Sequence, residues 1–244
     1  VRMNSTTQDY VALAKIGKLR AVYFRESLLR DMTNILSQSV NRHLILIGPD
    51  GVGKRTLAYS LALRMSEGKG PKGLKSLVVV DETALLDSDQ KAIRAGLNQA
   101  RGGVMFIPHI HRFFGGPIKA EFGKATPMIQ KAFLSDDPVI IGTTTETEWA
   151  NRVATASGIA ENCQTLRVAE PTVDETIEIL KVMHPHLERD YGLKVDPESL
   201  VLSARLAKRY MSATPLPRSA EQLIHRAAAM VTMSHNGKPE DGKE

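Results

Sequence analysis

The chain is poor in the features that secreted, membrane and nucleic-acid-binding proteins depend on. Of its 244 residues one is a cysteine, Cys163, so no internal disulfide can form, which fits a reducing compartment. No apolar run approaches the roughly 20 residues of a membrane-spanning helix. The opening residues, VRMNSTTQDY, lack the apolar core of a signal peptide. A cytoplasmic, soluble protein without a membrane partner is the expectation, and the start at Val1 reads as a piece of a longer chain. Aromatics make up only 5% of the residues, with a single tryptophan, Trp149, read as packing. Charge of one sign is not concentrated: the net charge is +5, but Lys and Arg are scattered. A basic balance without a clustered stripe speaks against nucleic acid as partner. What remains is ordinary. A hydrophobic content of 42% with 24% charged residues suits a globular chain of one large or two small domains.

What is present starts with a glycine loop. Residues 48–56 read GPDGVGKRT, in which Gly48, Gly53 and Lys54 fit the P-loop pattern. An apolar run, 43–47, precedes it and a helix-like run, 56–63, follows, which is the strand–loop–helix context the motif requires. Backbone N–H groups of such a loop wrap a phosphate, and the helix N-terminus adds partial positive charge. The expected nucleotide-binding residues are therefore Gly48, Pro49, Asp50, Gly51, Val52, Gly53, Lys54, Arg55 and Thr56, with ATP or ADP as ligand. One position departs from the pattern. The Ser or Thr that follows the lysine and ligates Mg2+ is replaced by Arg55. Thr56 lies about 100° further round the helix. Arg55 offers a cation to a phosphate instead, which leaves the role of Mg2+ open.

Along the rest of the chain, 9–19 and 25–38 read as helices and 67–73 as a Gly/Pro/Lys turn. Continuous apolar strands are expected at 43–47, 76–81, 104–107, 138–142 and 165–168, with helices at 88–101 and 120–135. Such strands alternating with helices predict an α/β fold: a parallel five-stranded sheet covered on both faces. After Pro171 the pattern turns wholly helical, near 173–189, 197–210 and 218–234. The expected domains are an α/β nucleotide-binding part over 1–170, a small helical part over 171–234 and a disordered tail over 235–244.

This order resembles an AAA+ module, and particular segments resemble the first ATPase module of Clp-type protein unfoldases and disaggregases. DYVALAKIGKL (9–19) is similar to that family's opening helix, GPDGVGKRTLAYSLA to its Walker A segment and GTTTETEW (142–149) to its sensor-1 strand. VAEPTVDETIEIL (168–180) is close to the junction between sheet and helical lid, and RYMSATPLPRSAEQLIHRAA (209–228) resembles the sensor-2 helix. The resemblance implies a P-loop AAA+ fold with a helical lid and a ring-forming ATPase, usually hexameric. Self-association, a mixed AAA+ ring and a protein partner follow from it. Thr144, Thr145 and Arg218 fall at its sensor positions.

Against that family several positions differ. Pro108 and His109 stand where the Walker B strand carries Asp and Glu, the metal and water ligands. Proline cannot ligate a metal; His109 has a base, although both it and His111 also read as polar residues at a strand end. No metal ligands are assigned, because no Cys or acidic partner sits at ligand spacing nearby. Glu161 and Asn162 occupy the arginine-finger positions, where a guanidinium contributes roughly 10³–10⁵ in rate. Ser219 replaces a charged sensor-2 residue beside Arg218. The aromatic pore loop that grips substrate falls in 82–87, which holds no aromatic. Phe113 and Phe114, beside Arg112, read either as a stacking surface or as packing within their own domain.

No catalytic residue is assigned. The leading reading is a nucleotide-binding pseudo-ATPase module with a structural or regulatory role in a protein-remodelling ring. The alternatives are an active ATPase using Asp81 and Glu82, or groups from neighbouring subunits, and a nucleic-acid-binding AAA+ relative.

Overall fold

A computed structural model describes residues 6–20, 22–23 and 25–236. The backbone divides into two compact units, one taking 6–20, 25–49 and 54–168, the other taking 22–23, 50–53 and 169–236.

The first unit is built on a six-stranded sheet. In chain order its elements are β1 (Thr7–Asp9), α1 (Tyr10–Lys15), α2 (Glu26–Leu36), β2 (His43–Ile47), α3 (Lys54–Ser66), β3 (Leu77–Val80), α4 (Glu82–Gln99), β4 (Val104–Ile107), α5 (Thr126–Phe133), β5 (Val139–Thr144), the short α6 (Glu146–Glu148) and β6 (Cys163–Arg167). The strand order is β1-β3-β4-β5-β2-β6. All neighbours are parallel except β1, which runs antiparallel to β3. Strands β2 to β5 are buried at every position, which is why they read as unbroken apolar runs, whereas the outer strand β6 alternates. One set of alternate side chains, among them Ile45, Val78, Met105 and Ile140, packs with Ile93 of α4 and Ile129 and Phe133 of α5. The other set, including Leu44, Leu46, Phe106 and Ile141, is equally buried, and α2 packs on β2 from outside.

The sheet has one strand more than the five expected. A helix is expected over 9–19, but Thr7–Asp9 pair as β1, and the helix runs only from Tyr10 to Lys15. Asp9 is the boundary: its carboxylate accepts from Val11 N and Ala12 N and so caps α1. β3 is the edge of the parallel part and is covered by β1. Helix α4 starts at Glu82 instead of Ser88, with Asp81 as its N-cap, so 82–87 is helical up to a kink at Ser88. The helix expected over 120–135 begins only at Thr126, after a 3-10 turn, Gly123–Ala125.

In the second unit α7 (Val173–Tyr191), α8 (Pro197–Tyr210) and α9 (Arg218–Asn236) enclose a small core of Ile177, Leu180, Leu187, Leu200, Leu216 and Ile224 with alanines between them. Sequence dictates the boundaries. Thr172 and Glu175 form a reciprocal capping box at the start of α7, and Gly192 closes it in a left-handed conformation. Asp196 caps α8 with Pro197 in its first turn. Of the tail expected to be disordered, His235 and Asn236 end α9, and 237–244 lie outside the described residues.

Two buried groups at the N-terminal end of the parallel strands titrate abnormally. Cys163 opens β6 opposite His43, and burial pushes its thiol up to about 12. His43 Nδ1 accepts from Ile140 N at 2.9 Å, and its Nε2 faces Ser135 O at 2.9 Å, so the neutral tautomer with the proton on Nε2 satisfies both. Burial holds this imidazole below its ordinary 6.5. The unfolded chain therefore takes up the proton first. The stability that neutral His43 contributes is complete above about pH 7 and is lost as pH falls through the unfolded value toward the folded one. Urea midpoints should fall between about pH 7 and pH 5, with a shallower slope in His43→Gln, whose overall stability drops by about 1–3 kcal/mol. Equal slopes in the two proteins would remove His43 from this role.

Candidate nucleotide-binding site

The chain leaves β2 at Gly48, where the sheet's order turns, with β5 on one side and β6 on the other. In parallel sheets that is where ligands bind, beyond the carboxyl ends of the strands. Gly48 N donates to Thr144 O at 3.1 Å. A Cβ on Gly48 would stand 2.3 Å from Val168 O, so no other residue fits without moving the backbone. Gly51 and Gly53 take φ of 99° and 94°, which L side chains rarely adopt. These turns bring Lys54 to the first turn of α3. Its side chain, 6% exposed, folds back so that Nζ donates to Gly48 O at 2.5 Å and Pro49 O at 2.8 Å. Val52 is buried and Arg55 is exposed at the same helix end. Thr56, half-buried, gives its carbonyl to Ser60 Oγ, an intrahelical bond.

Beside the loop, β4 and β5 end in a polar cluster. His109 adopts a left-handed conformation, φ 50°, and its N–H donates to Thr143 Oγ1 at 3.0 Å. The following 3-10 turn, Ile110–Phe113, brings His111 Nδ1 to 3.1 Å from Thr144 Oγ1, and the two imidazoles meet edge to face at 5.7 Å. Thr143 and Thr144 are buried. Thr145, the other expected sensor, instead caps α6: its Oγ1 accepts from Glu148 N at 3.3 Å. Gly48, Lys54, Thr144 and His111 are thus linked by consecutive hydrogen bonds, with Thr143 and His109 alongside. Sequence reading missed Thr143 and undervalued His111. The signal available was the pairing of a Thr-Thr-Thr strand end with histidines two residues apart.

Other expected residues lie apart. Asp81 and Glu82 follow β3, which β4 and β5 separate from β2; three strand spacings put them roughly 14 Å from the loop. Asp81 accepts from Thr83 N as a helix cap, and Glu82 pairs with Arg112 Nη1 at 2.6 Å. Glu161 and Asn162 form a 3-10 turn before β6, at the end of the sheet where β2 begins, and Asn162 Nδ2 donates to Gly158 O. Pro108 ends β4 without an N–H. In the helical unit, Arg218 is exposed at the start of α9, and a Cβ on Gly51 would lie 2.8 Å from Arg218 Cβ. Ser219, its neighbour, is buried. Glu170 fixes the preceding turn, accepting from Leu216 N and Lys208 Nζ, both at 2.9 Å; those bonds hold its carboxyl below the usual range.

The segment 112–125 is anchored. Arg112 forks onto Glu121 at 2.7 and 2.8 Å, and its hydrogen bonds to Glu121 and Glu82 raise its already high pKa; its guanidinium also sits over the Phe122 ring. Phe113 and Phe114 are buried at 1% and 2% exposure, so they serve the core and offer no stacking surface. Trp149, partly buried, packs on the same core.

A parallel sheet with a P-loop after its inner strand, followed by a three-helix unit, defines an AAA+ module. The AAA lid domain family matches residues 172–244. The chain is 31% identical over 246 residues to the chaperone protein ClpB of Rhizobium meliloti (strain 1021), which covers 96% of this chain and 28% of that protein. It is 29% identical over 243 residues to the chloroplastic chaperone protein ClpC of Pisum sativum, at 95% and 26% coverage. The fold superposes on the S. cerevisiae Hsp104:casein complex in its extended conformation with a TM-score of 0.82 and 28% identity, over 96% of this chain and 42% of that one. The S. cerevisiae Hsp104-ADP complex gives 0.82 and 27%, over 94% and 41%. The chain is a Clp-type AAA+ module. It spans less than a third of the length of the curated relatives it matches.

The buried hydroxyl of Thr143 is the acceptor that holds His109 in its left-handed turn. Thr143→Val keeps the shape and removes that acceptor, and should cost about 1–3 kcal/mol in urea unfolding. A loss near zero would show that His109 needs no such partner.

Proposed function

We propose that this module binds ATP or ADP through residues 48–56 and serves a cytoplasmic protein-remodelling ring in a structural or regulatory role, with hydrolysis lost. The observation that carries the reading is the polar cluster at the ends of β4 and β5. Where water would be activated beside the P-loop stand Pro108, His109 and His111; the backbone N–H of His109 donates to Thr143 Oγ1, and His111 Nδ1 lies 3.1 Å from Thr144 Oγ1. No carboxylate among the described residues occupies that place: Asp81 and Glu82 follow β3, three strand positions from β2 and the P-loop, where Asp81 caps α4 and Glu82 is paired with Arg112. Binding is supported separately, by the Gly48–Lys54 loop and by the likeness to the S. cerevisiae Hsp104-ADP complex.

Loss of threading is supported by 82–87. This stretch folds as the first turns of α4, carries no aromatic, and is tied to the turn that follows β4 through the Glu82–Arg112 ion pair. Glu161 in place of a finger residue would present negative charge to a neighbour's nucleotide. Each departure removes a separate contribution to rate, and such losses do not add.

Calorimetry with Mg-ATP should show a saturable heat that decays to baseline, and Lys54→Ala should weaken binding by at least about tenfold. Phosphate release should stay far below the roughly 1–100 s⁻¹ of ordinary phosphoryl-transfer enzymes. Sustained turnover abolished by Asp81→Asn or Glu82→Gln would instead establish an active ATPase.

A further inference from the structure

We infer that this site takes its nucleotide as the free polyphosphate, without a divalent cation, with Arg55 supplying on the chain the positive charge that Mg2+ would bring. The inference rests on the nucleotide-binding reading above and concerns the form in which the nucleotide is held.

Mg2+ does not fit the donor set. It demands near-octahedral oxygen ligation: besides the waters it keeps and the phosphate oxygens, a P-loop protein holds it with the Ser or Thr hydroxyl after the lysine and a Walker B carboxylate. The position after Lys54 carries a guanidinium, which has no lone pair to give. Pro108 has no side-chain donor atom. Thr143 Oγ1 already accepts from His109 N, and Thr144 Oγ1 is bonded to His111 Nδ1. Among the described residues no group of three or more His, Cys, Asp or Glu is arranged to hold a metal ion.

The charge balance points the same way. In a site with two carboxylates beside the phosphates, removing the metal leaves negative groups facing one another. Here those carboxylates are gone together with the metal's hydroxyl ligand. Two adjacent cations, Lys54 and Arg55, stand in the first turn of α3, where the helix adds its own partial positive charge. The acids that follow the parallel strands on this side are already neutralised or used. Arg112 holds Glu82 and Glu121, Arg167 holds Glu146 at 2.9 Å, and Asp81 caps α4. Asp50, exposed in the loop, is the acid the loop itself carries. Arg55 is exposed, so its long side chain can swing to a phosphate without disturbing the core. Loss of the metal ligands and gain of the arginine are then one change and not two.

The test is calorimetric titration of the whole chain with ATP and with ADP, once in excess MgCl2 and once in excess EDTA. The dissociation constants should agree within about threefold. Arg55→Thr, which restores the hydroxyl at an exposed position, should weaken binding in EDTA by about tenfold or more while leaving the melting temperature unchanged. Binding by the natural chain that weakens by more than about threefold in EDTA overturns the inference and leaves the nucleotide reading standing. An EDTA affinity untouched by Arg55→Thr also overturns it. Absence of binding in both media overturns the nucleotide reading and this inference with it.

Discussion

Gly48 is the point on which the α/β unit turns. Its N–H bonds to the last carbonyl of β5, its carbonyl receives the Lys54 ammonium, and the space a Cβ would take is filled by the carbonyl of Val168 as the chain leaves β6. Three strands are thus held in register at one residue with no side chain. Parallel strands place all their carboxyl ends together, and a loop that must pass between two of them at van der Waals distance has room only for backbone. The positions of Lys54, of Thr144 and, through Thr144, of His111 follow from that single close approach.

Much of this was legible in the sequence because burial on both faces erases alternation. β2 to β5 are unbroken apolar runs, and the glycine loop after the first of them marks where a helix must start. The helical unit was legible for a different reason: Thr172 with Glu175, Asp196 with Pro197, and Gly192 write their caps into the chain. What escaped were elements decided by partners distant in sequence. β1 is three residues long and exists through pairing with Val78, Val79 and Val80. The early start of α4 depends on Asp81 turning its carboxylate to Thr83 N, and a short polar stretch gives no periodicity from which to see it.

The site was legible as a list of positions but not as a network. That Pro108 and His109 stand in place of acids is visible residue by residue. That His109 would turn left-handed and bond Thr143, while His111 reaches Thr144, depends on how β4 and β5 align, Ile107 beside Gly142. The hydroxyls used are set by strand register, which sequence spacing alone leaves undetermined. Likewise Phe113 and Phe114 resolve as core in the fold, beside an Arg112 clasped by Glu82 and Glu121.

Cys163 gives the chain a silent reporter. It is the single thiol in the sequence, it opens the outer strand β6, and burial holds its sulfur in the protonated, unreactive form. Alkylation of that sulfur requires the core packed around the start of β6 to open, since the thiolate is the reacting species and burial disfavours it. The labelling rate is therefore a clock for local opening at the sheet margin next to Glu161 and Asn162. Any neighbour that seats on that margin would slow the clock without touching the sulfur.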